Sequence, residues 1–89
     1  MSESENHRWK LKILLDESYQ WPCEYLFKFI VPLEKVVELA EILDGMQLTE
    51  KPSRGGKYVS VTAVKIFHNS EDVLKVYDSV KVVKGVISL

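Results

Sequence analysis

The sequence lacks several features on which small proteins often depend. It contains a single cysteine, Cys23, which excludes an internal disulfide and favours a reducing compartment. The longest nearly apolar segment, 25–32, is too short to span a membrane and includes Lys28. Residues 1–6 are acidic and polar, unlike a signal peptide, so we expect a cytoplasmic protein that does not contact a membrane.

Positive charge is not in excess either. The formal net charge is −1, which argues against nucleic acid as a partner, because such binding depends on neutralising phosphates. The two histidines, His7 and His68, are far apart in sequence and have no cysteine pair or carboxylate cluster beside them. The only charged neighbour of Cys23 is Glu24, which would not stabilise a thiolate. We therefore predict no metal, no cofactor and no catalytic residue, and expect a protein that is not an enzyme.

Residues 1–20 are interpreted as an N-terminal extension, of which residues 1–7 are expected to be disordered. The following segment is ambiguous. The apolar residues at 9, 11, 13 and 15 alternate with three basic residues, at 8, 10 and 12, as in a strand, whereas Leu11, Leu14 and Leu15 also fit one helical turn. Residues 16–18 read as a loop. Strand and helix both stay open for residues 8–15.

Residues 21–89 carry the pattern of a compact domain. Residues 25–31 are aromatic and β-branched, which predicts a strand buried on much of both faces. Pro32 suits a helix entry, and Gly45 suits the end of that helix. The apolar stripe expected for this first helix consists of Leu33, Val36, Val37, Ala40 and Leu43.

The second half of the domain also carries the patterns of strands and of one helix. Residues 46–53 predict an edge strand, because Pro52 cannot donate to a sheet ladder. Residues 54–57 predict a hairpin turn and 58–67 a long alternating strand. Asn69 offers a helix N-cap, and residues 85–89 predict a short final strand. The stripe expected for this second helix is Val73, Leu74, Val76, Tyr77 and Val80.

The element order β-α-β-β-α-β predicts an α+β domain of the ferredoxin-like, split-βαβ class. Right-handed crossovers would give a four-stranded antiparallel sheet in the order 4-1-3-2, with both helices on one face. The other face and the final strand would then expose apolar residues, which indicates a homodimer, a protein partner or cover by the N-terminal extension. The candidate interface residues are Trp9, Leu11, Ile13, Leu26, Ile30, Val64, Ile66, Val86 and Ile87.

The hairpin carries the candidate ligand site. Its basic residues surround a glycine turn whose backbone N–H groups could be free to bind an anion. The residues of this candidate anion site are Lys51, Ser53, Arg54, Gly55, Gly56, Lys57 and Tyr58. The same stretch partly matches an RNA-recognition signature, but Tyr58 would be the only aromatic side chain on the open face, so RNA binding is the minor alternative.

The hairpin also resembles that of the YbeD-like family of small bacterial proteins of unknown function. The matching residues are Pro52, Ser53, Gly56, Tyr58 and Ser60, supported by Trp21-Pro22-Cys23 and by a terminal strand at 86–89. The resemblance covers roughly residues 20–89 and implies a ferredoxin-like fold similar to ACT domains, which are small-molecule regulatory modules. In such modules the loop after the first strand usually helps to bind the effector; here it is Val31-Pro32-Leu33, without the usual glycine or aspartate.

Two functions follow as hypotheses. The first is a non-enzymatic, ACT-like regulatory module that binds a small molecule. The second is a protein-interaction adaptor that uses the open sheet face or pairs along the final strand.

Overall fold

The computed structural model describes the backbone of residues 3–89 and the side chains from His7 onward. The helices are α1 (Glu3–Ser18), α2 (Val36–Ile42) and α3 (Ser70–Val80), and a 3₁₀ turn at Leu33–Lys35 precedes α2. The strands are β1 (Cys23–Pro32), β2 (Gln47–Pro52), β3 (Tyr58–Phe67) and β4 (Ile87–Ser88). The four strands form one sheet in the order β2-β3-β1-β4, with antiparallel neighbours, which confirms the predicted fold class and strand order.

The two long central strands form the frame of the sheet. They pair along their whole length, from Cys23 opposite Phe67 to Pro32 opposite Tyr58. Successive residues of a strand point to opposite faces, so each strand has a helix-covered face and an open face. The helix-covered face is apolar and buried; its members on these strands are Phe27, Phe29, Val31, Val59, Val61, Ala63 and Phe67.

The prediction that the first strand is buried on both faces was wrong. Leu26 remains 57% exposed and Lys28 is exposed, whereas Phe27 between them is fully buried. The helices cover only one face of the sheet, so an apolar residue of the right type for a core can still face outward.

The apolar stripe of the first predicted helix is only partly correct. Leu43 is buried as expected, but Leu33 and Val37 are 57% and 70% exposed, and the buried Leu39 was not in the predicted stripe. The reason is the 3₁₀ turn at Leu33–Lys35, which advances about three residues per turn and so shifts the phase of the α-helix that follows. The stripe of α3 matches its prediction, with Val73, Leu74 and Val80 buried.

Local caps fix the ends of these elements. The Asn69 side chain accepts a hydrogen bond from the Asp72 N–H at 2.8 Å, which confirms the predicted N-cap of α3. Gly85 adopts a φ of 82°, and a Cβ there would lie 2.9 Å from Cγ of Pro32. This close approach lets the chain bring β4 beside β1, although β4 is shorter than the predicted strand 85–89.

The N-terminal extension is a helix, which decides the question left open for residues 8–15. The helix begins at Glu3 and so overlaps the segment expected to be disordered; residues 1 and 2 lie outside the described residues. It also includes 16–18, predicted as a loop. Leu15 joins the core and Leu11 packs against it, on the helix-covered side of the sheet. The extension therefore does not cover the open face.

Polar contacts hold this helix in place. Arg8 donates to Asp78 at 2.6 Å and to Glu71 at 2.8 Å, both on α3. At the other end Asp16 accepts from Lys12 at 2.9 Å and from the Trp21 indole at 3.0 Å. The hydrogen bond from Lys12 is the main reason that the pKa of Asp16 lies below its usual value.

Candidate functional site

A concavity of about 360 Å³ lies on the open face, where β1 approaches the hairpin between β2 and β3. We call it the basic concavity. Its lining residues are Lys28, Ile30, Lys51, Pro52, Ser53, Arg54, Tyr58 and Ser60. The sheet register explains the assembly, because Ile30 pairs with Ser60 and Ser60 pairs with Lys51 across three adjacent strands. Lys28 lies one step along β1 on the same face.

The hairpin is closed by Ser53. Its N–H donates to the Tyr58 carbonyl at 2.8 Å, its hydroxyl accepts from the Tyr58 N–H at 3.2 Å, and its carbonyl accepts from the Gly56 N–H at 3.0 Å. Gly56 has a φ of 74°, which a residue with a side chain rarely adopts. These bonds hold Ser53 and Tyr58 at the mouth of the turn, beside the basic side chains.

The structure brings together four of the residues predicted for the anion site and separates three. Lys51, Ser53, Arg54 and Tyr58 line the concavity. The remaining three, Gly55, Gly56 and Lys57, form the tip of the turn outside it. The Gly56 N–H donates to the Ser53 carbonyl within the turn and is therefore not available to an anion.

All charged side chains that line the basic concavity are positive. Lys28, Lys51 and Arg54 contribute three positive charges, and none of them forms an ion pair within the part of the chain whose side chains are described. Ser60 and Tyr58 add hydroxyl donors, and Ile30 and Pro52 add an apolar wall. Cations and hydroxyls beside an apolar wall are suited to a small anion that has an apolar part.

Sequence reasoning missed Lys28, Ile30, Pro52 and Ser60 as members of this site. A signal for Lys28 was present: it is the only charged residue in the segment 25–31, and it alternates with buried aromatic residues. A charge in phase with the exposed positions indicates an open sheet face. Lys28 lies far from Lys51 in the sequence, so no local pattern indicated that both would line the same concavity.

A larger concavity, of about 610 Å³, lies between α1 and α3. Its apolar lining includes Leu11, Leu74 and Tyr77, and its rim includes Arg8 and Asp78. The two rim charges pair with each other, and the Tyr77 hydroxyl is bonded to that of Tyr25 at 2.9 Å. Arg8, Asp78 and Tyr77 are therefore engaged within the protein, whereas Lys28, Lys51 and Arg54 of the basic concavity have no ion-pair partner among the described side chains.

The candidate interface residues do not form one surface. Leu11 and Val86 pack against the core, and Ile30 and Val64 are half-buried. Five are exposed. Three of these, Leu26, Ile66 and Ile87, lie on the open face, and the other two, Trp9 and Ile13, lie on α1. The exposed apolar surface is thus divided between the open face and the N-terminal helix.

The other candidate groups are scattered. Cys23 is half-buried at the start of β1, and His7 and His68 are exposed. Among the described residues no group of three His, Cys, Asp or Glu side chains is placed to hold a metal ion. The loop after β1 is occupied by the 3₁₀ turn, where Leu33 points outward. None of these places gathers polar groups as the basic concavity does.

The fold and this site define a split-βαβ domain whose open sheet face carries a basic concavity. The chain matches the model of the family described as protein of unknown function (DUF493) over residues 16–89, and it belongs to that family. Comparisons with curated proteins and with solved structures give no match. Within residues 3–89, none of the helices is sufficiently long and apolar to cross a membrane.

Proposed function

We propose that this chain is a cytoplasmic, non-enzymatic regulatory module of ACT-like shape that binds an anionic small molecule in the basic concavity. The observation that carries the proposal is the convergence of Lys28 from β1 with Lys51 and Arg54 from the hairpin. The resemblance of the hairpin to that of YbeD-like proteins supports the same class of module.

The chemistry of the lining favours binding over catalysis. Lysine and arginine supply charge and hydrogen-bond donors to carboxylate or phosphate oxygens, and the hydroxyls of Ser60 and Tyr58 can add further donors. These groups hold an anion, whereas general acid–base chemistry usually depends on a residue that titrates near neutral pH. The proposal therefore assigns recognition, and no reaction, to this site.

The size of the site favours a small molecule over RNA. A volume of about 360 Å³ lies within the range of small-molecule pockets. RNA recognition on such a sheet stacks two or three bases on exposed aromatic rings. Tyr58 is 48% exposed on this face, while Phe27 and Phe29 lie in the core on the opposite face.

The test is a titration followed by ¹⁵N–¹H correlation NMR with inorganic phosphate and then with pooled amino acids, short carboxylic acids and nucleotides. We expect saturable shifts of Lys28, Ser53, Arg54 and Tyr58 for at least one pool. The variant Lys28→Ala should weaken that binding by about ten-fold or more, since a hydrogen bond to a charged group contributes about 1.5–3 kcal/mol.

The matched control is Lys75→Ala, which removes an exposed lysine from α3 on the helix-covered side. It should leave the affinity unchanged while altering the net charge by the same amount. Saturable shifts confined to other regions, or equal weakening by both variants, would contradict the assigned site. No shift with any pool would overturn the small-molecule proposal for those compounds.

A second candidate function is a protein-interaction adaptor, favoured by the exposed apolar residues of the open face. Leu26 and Ile66 are 57% and 58% exposed, and Ile87 on the edge strand is 53% exposed. Recovery of a specific protein by the wild type, but not by Leu26→Glu, would support this function. Equal recovery by both would exclude this face as the contact.

A further inference from the structure

Helix α1 has two apolar sides, and the domain covers only one. Leu15 is 5% exposed and Leu11 packs beside it, both directed toward the core. On a helix, with about 100° between successive residues, Ile13 lies about 200° from both Leu11 and Leu15. Trp9 lies one turn from Ile13 on this outward side. A helix that only packs on a domain has one apolar stripe, so the second is unexplained by the fold.

The outward side of α1 carries large apolar groups in contact with solvent. Trp9 is 61% exposed, Leu14 59% and Ile13 40%. Indole and branched aliphatic side chains that stay this exposed mark a surface suited to a protein contact. Trp9, Ile13 and Leu14 precede the family match, which begins at Asp16 near the end of the same helix.

The charges on this side of α1 suit an identical helix. Lys10 and Glu17 are both exposed and seven positions apart, so they lie two turns from each other along almost one line. Ile13 and Leu14 lie midway between them. When two such helices run antiparallel about a two-fold axis at this midpoint, Lys10 of each copy meets Glu17 of the other. A parallel arrangement would oppose Lys10 to Lys10.

We propose that the outward side of α1 binds a second copy of this chain as an antiparallel helix pair. Ile13 and Leu14 form the centre of the contact, Trp9 covers its flank, and two Lys10–Glu17 ion pairs set the orientation. Because α1 lies on the helix-covered side of the sheet, the basic concavity stays open in both copies. The dimer therefore neither depends on the proposed anion site nor blocks it.

The test is a charge-reversal experiment followed by analytical ultracentrifugation of the full chain over a range of concentrations. Each single variant, Lys10→Glu or Glu17→Lys, opposes like charges at both ends of the pair. We expect each to weaken self-association by about ten-fold or more. The double variant K10E/E17K should restore it to within about three-fold of wild type.

Mixing gives the sharpest result, because Lys10→Glu and Glu17→Lys are complementary to each other. An equimolar mixture should form a heterodimer at concentrations where each variant alone stays largely monomeric. The thermal midpoints of the monomers serve as the control for folding and should stay unchanged. A wild type that remains monomeric at millimolar concentration would overturn the proposal, as would single reversals without effect or a mixture that stays monomeric. Loss of association in Trp9→Ala with intact folding would support it.

Discussion

The two faces of β1 and β3 differ sharply although they are built from alternating residues of the same strands. On the helix-covered face Phe27, Phe29 and Val31 are fully buried. On the open face Leu26 and Lys28 are exposed and Ile30 is half-buried. The helix-covered face contributes to stability by removing apolar area from water. The open face is held in register by the same backbone hydrogen bonds, and its side chains remain accessible to solvent.

The aromatic side chains of the covered face also pack closely against one another. The rings of Phe27 and Phe29 are stacked at 5.8 Å, and Phe67 and Tyr77 meet Phe27 edge-on at 5.6 and 5.0 Å. The open face instead gathers unlike groups, which include cations, hydroxyls and isolated aliphatic side chains. Strand parity thus separates the buried face from the face that we propose binds a ligand, and the following predictions test that separation.

The largest effect is expected from Phe27→Ala. Removing a buried ring leaves a cavity and should lower the free energy of unfolding by about 3–5 kcal/mol, measured by urea denaturation. The neighbouring variant Leu26→Ala should lower it by at most about 0.5 kcal/mol, as is usual for surface positions. Similar losses for the two variants would show that the open face is covered in solution.

Helix α1 likewise has a buried side and an exposed side, which a second pair of variants compares. Leu15→Ala should cost about 2–3 kcal/mol because this side chain is buried against the core. Leu14→Ala, at an exposed position of the same helix, should cost no more than about 0.5 kcal/mol at concentrations where the chain is monomeric. If Leu15→Ala behaves like Leu14→Ala, α1 is not docked as the structure shows.

A smaller effect is expected at the hydroxyl pair of Tyr25 and Tyr77. Tyr25→Phe removes one hydrogen bond at the margin of the covered face and should cost about 1 kcal/mol. Burial, followed by the bond to Tyr77, raises the pKa of Tyr25 above its usual value near 10. The folded state thus retains a proton that the unfolded chain releases, so stability should fall as the pH rises above about 10.

Chemical denaturation at pH 8 and pH 11 measures this difference. The wild type should lose more stability between the two values than Tyr25→Phe loses, because the variant lacks the shifted hydroxyl. An equal loss in both proteins would assign the alkaline transition to other groups.

The smallest effect on stability, and of opposite sign, is expected in the basic concavity. Lys28→Ala or Lys51→Ala relieves repulsion among three positive charges and should change the free energy of unfolding by less than about 0.5 kcal/mol, toward stabilisation. Added salt should remove the gain, because it screens exposed charges. A clear destabilisation by either variant would show that these lysines serve the fold and not a ligand.

Much of the fold could be predicted because its signals are local. The strand over 58–67 alternates between buried and exposed positions, and its bounds agree with the prediction. Asn69 caps the last long helix, and Gly45 has a φ of 85° at the end of α2. Alternation, capping and positive φ each depend on a few neighbouring residues, so they can be seen in a sequence without its tertiary structure.

The candidate site could be predicted only in part. The hairpin contributes Lys51, Ser53, Arg54 and Tyr58 from one short stretch, and the sequence shows them together. Lys28 joins them only because β1 pairs with β3 in a particular register. The side of α1 that packs inward was also hidden, since Leu11, Leu14 and Leu15 are equally apolar and only docking on α3 selects among them.

The sequence by itself determined the order of strands and helices within residues 21–89, the antiparallel sheet and the basic hairpin, because periodicity, caps and turn residues act over short distances. Tertiary structure alone decided which apolar residues stay in water and which distant lysine completes the basic concavity. The physical reason is that burial and register depend on which surfaces meet. Which surfaces meet is decided by the packing of the whole chain. Apolar residues of one strand can therefore lie on opposite faces of the sheet, one face buried and the other in water.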